Sequence, residues 1–136
     1  MTYHEEIRDL FSVPEDYYLV HCVSADFVLG KGIALEFNKR FDMKKKLRNS
    51  GQSGNCILID RVFNLVTKKT WRNKPTMDSV IESLYGLKKQ VTEKNIRKIA
   101  MPHIACGLDG LDWETVSEQV RNIFSDTDIE IMVCSN

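Results

Sequence analysis

Between Tyr17 and Val23 the chain reads Tyr-Tyr-Leu-Val-His-Cys-Val, an almost continuous apolar run with no alternation toward solvent. A strand of that character is buried on both faces, so its sheet must be covered by helices on each side. The run ends in Ser24-Ala25-Asp26 and passes through Gly30-Lys31-Gly32. From Ile33 a helix is predicted, because Ile33, Ala34, Phe37 and Phe41 recur at spacings of about three and four.

The remaining pattern extends this arrangement. Cys56–Asp60 and Val62–Thr67 read as two strands joined by a tight turn at Asp60-Arg61. Pro75-Thr76 opens a long helix carrying Met77, Val80, Ile81, Leu84, Leu87 and Val91 on one face, with Thr76 as N-cap and Asp78 in the first turn. Lys98–Met101 is a short strand stopped by Pro102. A further helix begins near Asp112, with Trp113, Val116, Val120 and Phe124 along its apolar face, and Ile129–Val133 closes the chain as a strand. Strands and helices alternate with one hairpin inserted, which argues for a layered α/β sheet.

Composition narrows the function classes. A chain of 136 residues, 43% apolar and 28% charged, suits one globular domain, taken as residues 1–136. The balance of 19 Lys+Arg against 19 Asp+Glu excludes a chain-wide basic face, so no stable nucleic-acid binding follows from charge and any such contact must be local. No stretch approaches the ~20 apolar residues of a membrane span, and the N-terminus does not read as a signal peptide. The expectation is a soluble, cytoplasmic monomer. Cys22, Cys56, Cys106 and Cys134 lack paired-ligand spacing and sit mostly in apolar runs, so they read as packing residues rather than zinc ligands or disulfides. No metal and no cofactor are expected.

Ligands of layered α/β sheets bind at the carboxyl ends of strands. Three strand-exit segments therefore carry the functional question. In Ser24–Gly32, the glycines let backbone approach a ligand and the following helix start offers free N–H groups to a phosphate, although such a Gly-x-Gly is often only a turn. In His103–Gly110, Gly107 and Gly110 permit positive φ at two points. Asp109 there reads either as an Asx-turn residue or as a functional acid, and His103 more readily as a packed histidine than as a base. In Thr67–Arg72, Lys68 is either a solvated charge or an amine pointing into the cleft. Lys44-Lys45-Lys46 with Arg48 reads as a solvated helix face.

Five segments occur in a telling order: His21-Cys22-Val23-Ser24, Gly30-Lys31-Gly32-Ile33-Ala34, Val66-Thr67-Lys68-Lys69, Met101 through Asp109, and Trp113-Glu114. Together they resemble a macrodomain, in particular the terminal ADP-ribose protein glycohydrolase branch, from about Asp9 to the last strand. The resemblance implies a three-layer αβα sandwich around a mixed, mainly parallel sheet, with ADP-ribose along the strand ends. It implies that Asp9, beside Leu10, receives the adenine amino group. Ser24, Gly32 and Ile33 would surround the distal ribose and phosphate, Ile104, Ala105, Cys106, Gly107 and Leu108 would form the diphosphate loop, and Lys68 with Asp109 would be the catalytic pair. Two departures stand out. The branch has Gly-Asp-Leu at Arg8-Asp9-Leu10, and Arg-Ile-Gly-Cys-Gly at His103-Ile104-Ala105-Cys106-Gly107, where a Cβ at Ala105 restricts φ.

The implied activity is removal of ADP-ribose from an acidic side chain or a nucleic-acid base, through lysine attack on the anomeric carbon of the opened distal ribose. An ordinary lysine titrates near about 10.4, so attack at neutral pH requires that the amine lose a proton, either to the carboxylate or because burial outweighs the pairing. The alternatives are a phosphatase or deacylase of free ADP-ribose derivatives and a non-catalytic ADP-ribose reader, against which the presence of both Lys68 and Asp109 argues.

Overall fold

The computed structural model describes residues Met1–Asn136. Its elements are β1 (Thr2–Ile7), a 3-10 turn (Leu10–Ser12), β2 (Tyr18–Ser24), α1 (Gly32–Phe41), α2 (Met43–Asn49), β3 (Cys56–Ile59), β4 (Val62–Lys68), α3 (Met77–Glu93), β5 (Lys98–Met101), α4 (Trp113–Phe124) and β6 (Glu130–Ser135). The six strands form one sheet in the order β1-β6-β5-β2-β4-β3. Every neighbouring pair is parallel except the β3–β4 hairpin, so the carboxyl ends of β1, β6, β5, β2 and β4 share one edge. This is the expected three-layer α/β architecture with a mixed, mostly parallel sheet.

Alternation along β2 divides its side chains between two cores. Val20 faces the layer of α3 and α4, where it joins Phe63, Leu65, Leu84, Val120 and Phe124. Leu19 and Val23 face α1 and α2, against Phe37, Met43 and Leu47. The long helix α3 starts as its sequence predicts: the Thr76 side chain accepts from the Ser79 N–H while Ser79 reaches back to Thr76, a reciprocal cap. Asp112 caps α4 by accepting from the Thr115 N–H at 3.1 Å.

The α1 side is not wholly apolar. His21 stands fully buried on β2, its ring 3.9 Å from that of Phe37 and its Nε2 2.6 Å from Asn64 Oδ1. Asn64 gives its amide protons to the carbonyls of Ile57 and Val62, which leaves Oδ1 to accept and places the His21 proton on Nε2. Burial pushes the imidazole down to about 4, so it is neutral at pH 7.

Neither β1 nor the division of the helical stretch after Ile33 had a sequence forecast. β1 is an edge strand, mostly exposed, and held by its backbone ladder to β6, so it needs no apolar run. The helical stretch after Ile33 divides at Asp42 (φ 54°), a residue type that tolerates left-handed backbone, and α2 follows as a separate helix with the Lys44–Arg48 charges at its surface. The closing strand lies at Glu130–Ser135 rather than Ile129–Val133. No helix is long and apolar enough to cross a membrane.

Candidate active site

The central parallel strands deliver three segments to the shared edge. β2 leads into Ala25–Lys31, β5 into Pro102–Asp112, and β4 ends on Lys68 itself. Because β2 lies between β5 and β4, the two loops and the lysine converge. Lys68 Nζ donates to Asp109 Oδ1 at 2.7 Å, and the side chains are 15% and 18% exposed. The two side chains, 41 residues apart in sequence, thus meet as an ion pair.

The loop after β2 is tied to β4. The Ala25 N–H donates to the Lys68 carbonyl at 2.9 Å, and Asp26 accepts from the Ser24 hydroxyl and, at 3.1 Å, from the Trp71 N–H. Burial raises the Asp26 carboxyl, but the hydrogen bonds from Ser24, Trp71 and Val28 outweigh it and hold the group below the usual carboxylate range. Asp26 thus clamps two strand exits, a role that sequence reasoning missed. Its only signal was an acid two residues beyond a buried strand end. Phe27, Leu29 and Gly32 all have positive φ, so this loop carries backbone strain that its contacts must over-determine.

The same loop introduces α1 without a side-chain cap, since Lys31 makes no such bond. The first-turn N–H groups of α1 therefore remain free for an anion, in contrast to the capped starts of α3 and α4. Across the gap, Leu108 Cδ1 comes within 3.5 Å of where a Gly32 Cβ would stand, so the two loops nearly touch.

The loop after β5 uses only one of its two glycines for positive φ. Its positive φ values fall at Ala105 (62°) and Gly110 (80°), and Gly107 is not among them. The other left-handed residue is Ala105, at the departure where the resembled branch has glycine. The Ala105 carbonyl accepts from the Leu111 N–H at 3.0 Å, which braces that turn. Ile104 and Ala105 are buried in the α3–α4 core, so only their backbone can face a ligand. His103 packs as anticipated, its ring 4.5 Å from Trp113 and nearly parallel to it.

Asp9, Leu10 and Ile33 line a separate lobe of about 340 Å³ at the ends of β1 and β6, shared with Phe11, Arg40 and Pro102. Leu10 is buried in the core, whereas Asp9 is exposed and accepts from the Phe11 N–H at 3.0 Å through Oδ1 alone. The four cysteines are free thiols. Burial, then the Asp109 charge, pushes Cys22 up to about 12; burial, then Asp112 and Asp109, pushes Cys106 up to about 11. Neither is a thiolate at neutral pH, so Lys68 is the only nucleophile candidate among these groups beside Asp109. No cluster of three His, Cys, Asp or Glu side chains is placed to hold a metal ion.

A covered mixed sheet with two facing loops and an ion pair at its carboxyl edge places a candidate ligand site where α/β domains carry theirs. The Macro domain model matches residues 51–120, and the chain belongs to that family. It is 38% identical over 130 residues to ADP-ribose glycohydrolase OARD1 of Bos taurus, covering 92% of this chain and 86% of that protein. It is 33% identical over 117 residues to the DNA ADP-ribosyl glycohydrolase of Thermus aquaticus, covering 76% of this chain but 32% of that longer protein. Among solved structures, the macrodomain of Thermus aquaticus DarG superposes with a TM-score of 0.85 at 26% identity, covering 99% of this chain and 98% of that one.

Proposed function

We propose that this macrodomain hydrolyses ADP-ribose from a modified macromolecule, with Lys68 and Asp109 performing the chemistry and 1–136 acting as one domain. The observation that carries the reading is the 2.7 Å ion pair, largely shielded from water, at the junction of the two ligand loops. A reader of ADP-ribose has no need of a lysine held against a carboxylate at that point. The family relatives named as ADP-ribose glycohydrolases support the reaction class.

In the proposed reaction the Lys68 proton passes to Asp109, which frees the amine lone pair. The amine then attacks C1″ of the distal ribose, the bond from C1″ to the macromolecule breaks and the leaving group takes the proton held by Asp109, after which a proton moves from the bonded nitrogen to O4″ as the C1″–O4″ bond opens to an iminium. Water hydrolyses the resulting adduct, which restores Lys68 and releases ADP-ribose. The diphosphate would lie between the free N–H groups at the start of α1 and the Ile104–Leu108 loop, and adenine would enter the lobe beside Asp9 and Ile33.

The deciding experiment incubates the protein with a Glu-linked ADP-ribosyl peptide, base-linked ADP-ribosyl DNA, ADP-ribose 1″-phosphate and O-acetyl-ADP-ribose, and measures released product. Release from one of the first two supports the proposal, and release from only the last two makes the protein a phosphatase or deacylase. Binding is checked separately. A hundredfold excess of ADP-ribose over its Kd raises unfolding stability by ~2.7 kcal/mol, and no shift at saturating concentrations removes the assignment.

A further inference from the structure

We propose that the exposed surface beside the Lys68–Asp109 pair, centred on Trp71 and bordered by Lys31, Arg48, Lys69, Arg72 and Lys74, holds the single-stranded nucleic-acid flank of the substrate. The proposal takes its substrate from the glycohydrolase reading, but the binding it predicts can be measured without catalysis.

Charge is the first argument. The chain as a whole is balanced, yet residues 68–74 contain four cations and no carboxylate. Elsewhere several basic residues pair off, with Arg40 on Glu36, Lys46 on Asp60, Lys88 on Asp126 and Lys98 on Asp16. Lys31, Arg48, Lys69, Arg72 and Lys74 have no carboxylate partner in the fold. Five exposed cations left unpaired at one edge make a local positive field next to the reacting pair, in a protein whose net charge supplies none.

The second argument is the aromatic side chain among them. Trp71 is 49% exposed, a large apolar ring left in water. Its backbone is fixed by donation to Asp26, so the ring is presented from a clamped position. Lys31 Nζ lies 6.0 Å and Arg72 Cζ 5.1 Å from its centroid, both on long side chains able to yield the ring face to a stacking base while meeting the adjoining phosphates. Arg48 donates to the Asp26 carbonyl at 3.4 Å and extends the positive edge toward α2. An aromatic platform interleaved with cations is the chemistry that holds single strands, whose bases are free to stack. An acidic peptide would satisfy the cations but offer the indole nothing planar, and duplex DNA hides its base faces.

The test measures anisotropy of a short fluorescent oligothymidylate without ADP-ribose, over a salt series, against the parent protein, Trp71→Ala and Arg72→Ala. Neither substitution removes the Trp71 N–H that Asp26 accepts. The parent should bind with affinity falling steeply with salt, and Arg72→Ala should flatten the log–log slope by about 0.7 for the phosphate contact it loses. Trp71→Ala should weaken binding about tenfold or more with the slope kept. Thermal melting and ADP-ribose affinity should remain at parental values in both variants. On base-linked ADP-ribosyl oligonucleotides, kcat/KM should rise with flank length in the parent and lose that rise in Trp71→Ala. Binding by the variants equal to the parent overturns the proposal, as does equally tight binding of polyglutamate of matched charge, which would make the surface an acidic-protein dock. Oligonucleotide binding as described but with no turnover of any ADP-ribosylated substrate removes the glycohydrolase reading and leaves the nucleic-acid surface standing.

Discussion

The two ends of the cleft are built by opposite means. At the Lys68–Asp109 end, charged groups are paired with each other at 2.7 Å and mostly screened from water, one on the last residue of β4 and the other on the loop after β5. At the Asp9 end there is an open lobe of about 340 Å³ whose only polar commitment by Asp9 is to its own turn. That lobe rests on aromatic packing instead: Phe11 meets Phe37 edge-on at 4.9 Å, and Phe37 stacks on His21 at 3.9 Å. One end is preorganised by electrostatics and the other by a hydrophobic floor. Changes at the first should act on rate and changes at the second on affinity and stability.

The largest effect expected is on rate. Lys68→Ala and Asp109→Ala should each lower turnover by at least about three orders of magnitude, ~4 kcal/mol, with ADP-ribose affinity within about tenfold of the parent. Groups that act in one step fail together, so the double variant should be little worse than either single one. Borohydride added during turnover should attach ADP-ribose mass to the parent and none to Lys68→Ala. Near-parental turnover by Lys68→Ala would break the comparison at its stronger end.

Acid should act at the other end. His21 ordinarily titrates near 6.5 and is held down to about 4 in the fold, so between those values the unfolded chain takes up a proton that the native state refuses. The full stability is present above about pH 6.5, is lost progressively as pH falls toward about 4, and levels off below; the loss is of order 3 kcal/mol. Urea denaturation at neutral pH and near pH 4.5 measures it. Equal stabilities would mean that the imidazole under Phe37 has a route to water. The Asp26 carboxylate, also held low, loses its contribution only as pH falls below the ordinary value of 3.8, outside this window.

Asp9 tests whether the lobe selects adenine. Asp9→Ala should weaken ADP-ribose by ~1–3 kcal/mol while ribose 5-phosphate, which lacks the base, binds both proteins alike. The Phe11 N–H bond complicates the alanine variant, because losing it loosens the turn as well. Asp9→Asn retains an oxygen for that N–H and alters what the rest of the side chain presents to the base. Titration calorimetry separates the effects: equal weakening of both ligands by Asp9→Ala makes Asp9 a turn residue.

The sheet and its helices were largely legible, since buried strands and amphipathic helices write their periods into Tyr17–Val23, Met77–Val91 and Val116–Phe124. β1 was not, because an exposed edge strand is held by backbone bonds that leave no side-chain pattern. In the site, the motifs around Lys68 and Asp109 named two residues far apart in sequence, and the fold brought them to 2.7 Å. The clamp by Asp26 was invisible because it acts across strands on a backbone N–H, which any residue at 71 would supply. The conformation of the Ile104–Leu108 loop was not legible for a related reason. Glycine permits positive φ without requiring it, and a braced alanine can be forced there.

That loop yields the smallest and cleanest expected effect. If Gly107 supplied the left-handed residue of the loop joining the two ends of the cleft, a Cβ there would cost more than about 1 kcal/mol. Its φ is not positive, and an added Cβ would meet nothing within 4 Å. Gly107→Ala should therefore leave the native state unstrained while restricting the unfolded chain, and should stabilise the protein by ~0.4–1 kcal/mol. Gly110 is the internal control. It too has open space around a Cβ, but its φ is 80°, so Gly110→Ala should destabilise through backbone strain alone. Thermal melts of the two variants should move in opposite directions by a few degrees. A loss of stability in Gly107→Ala would return the turn to Gly107 and with it the loop geometry on which the proposed diphosphate site depends.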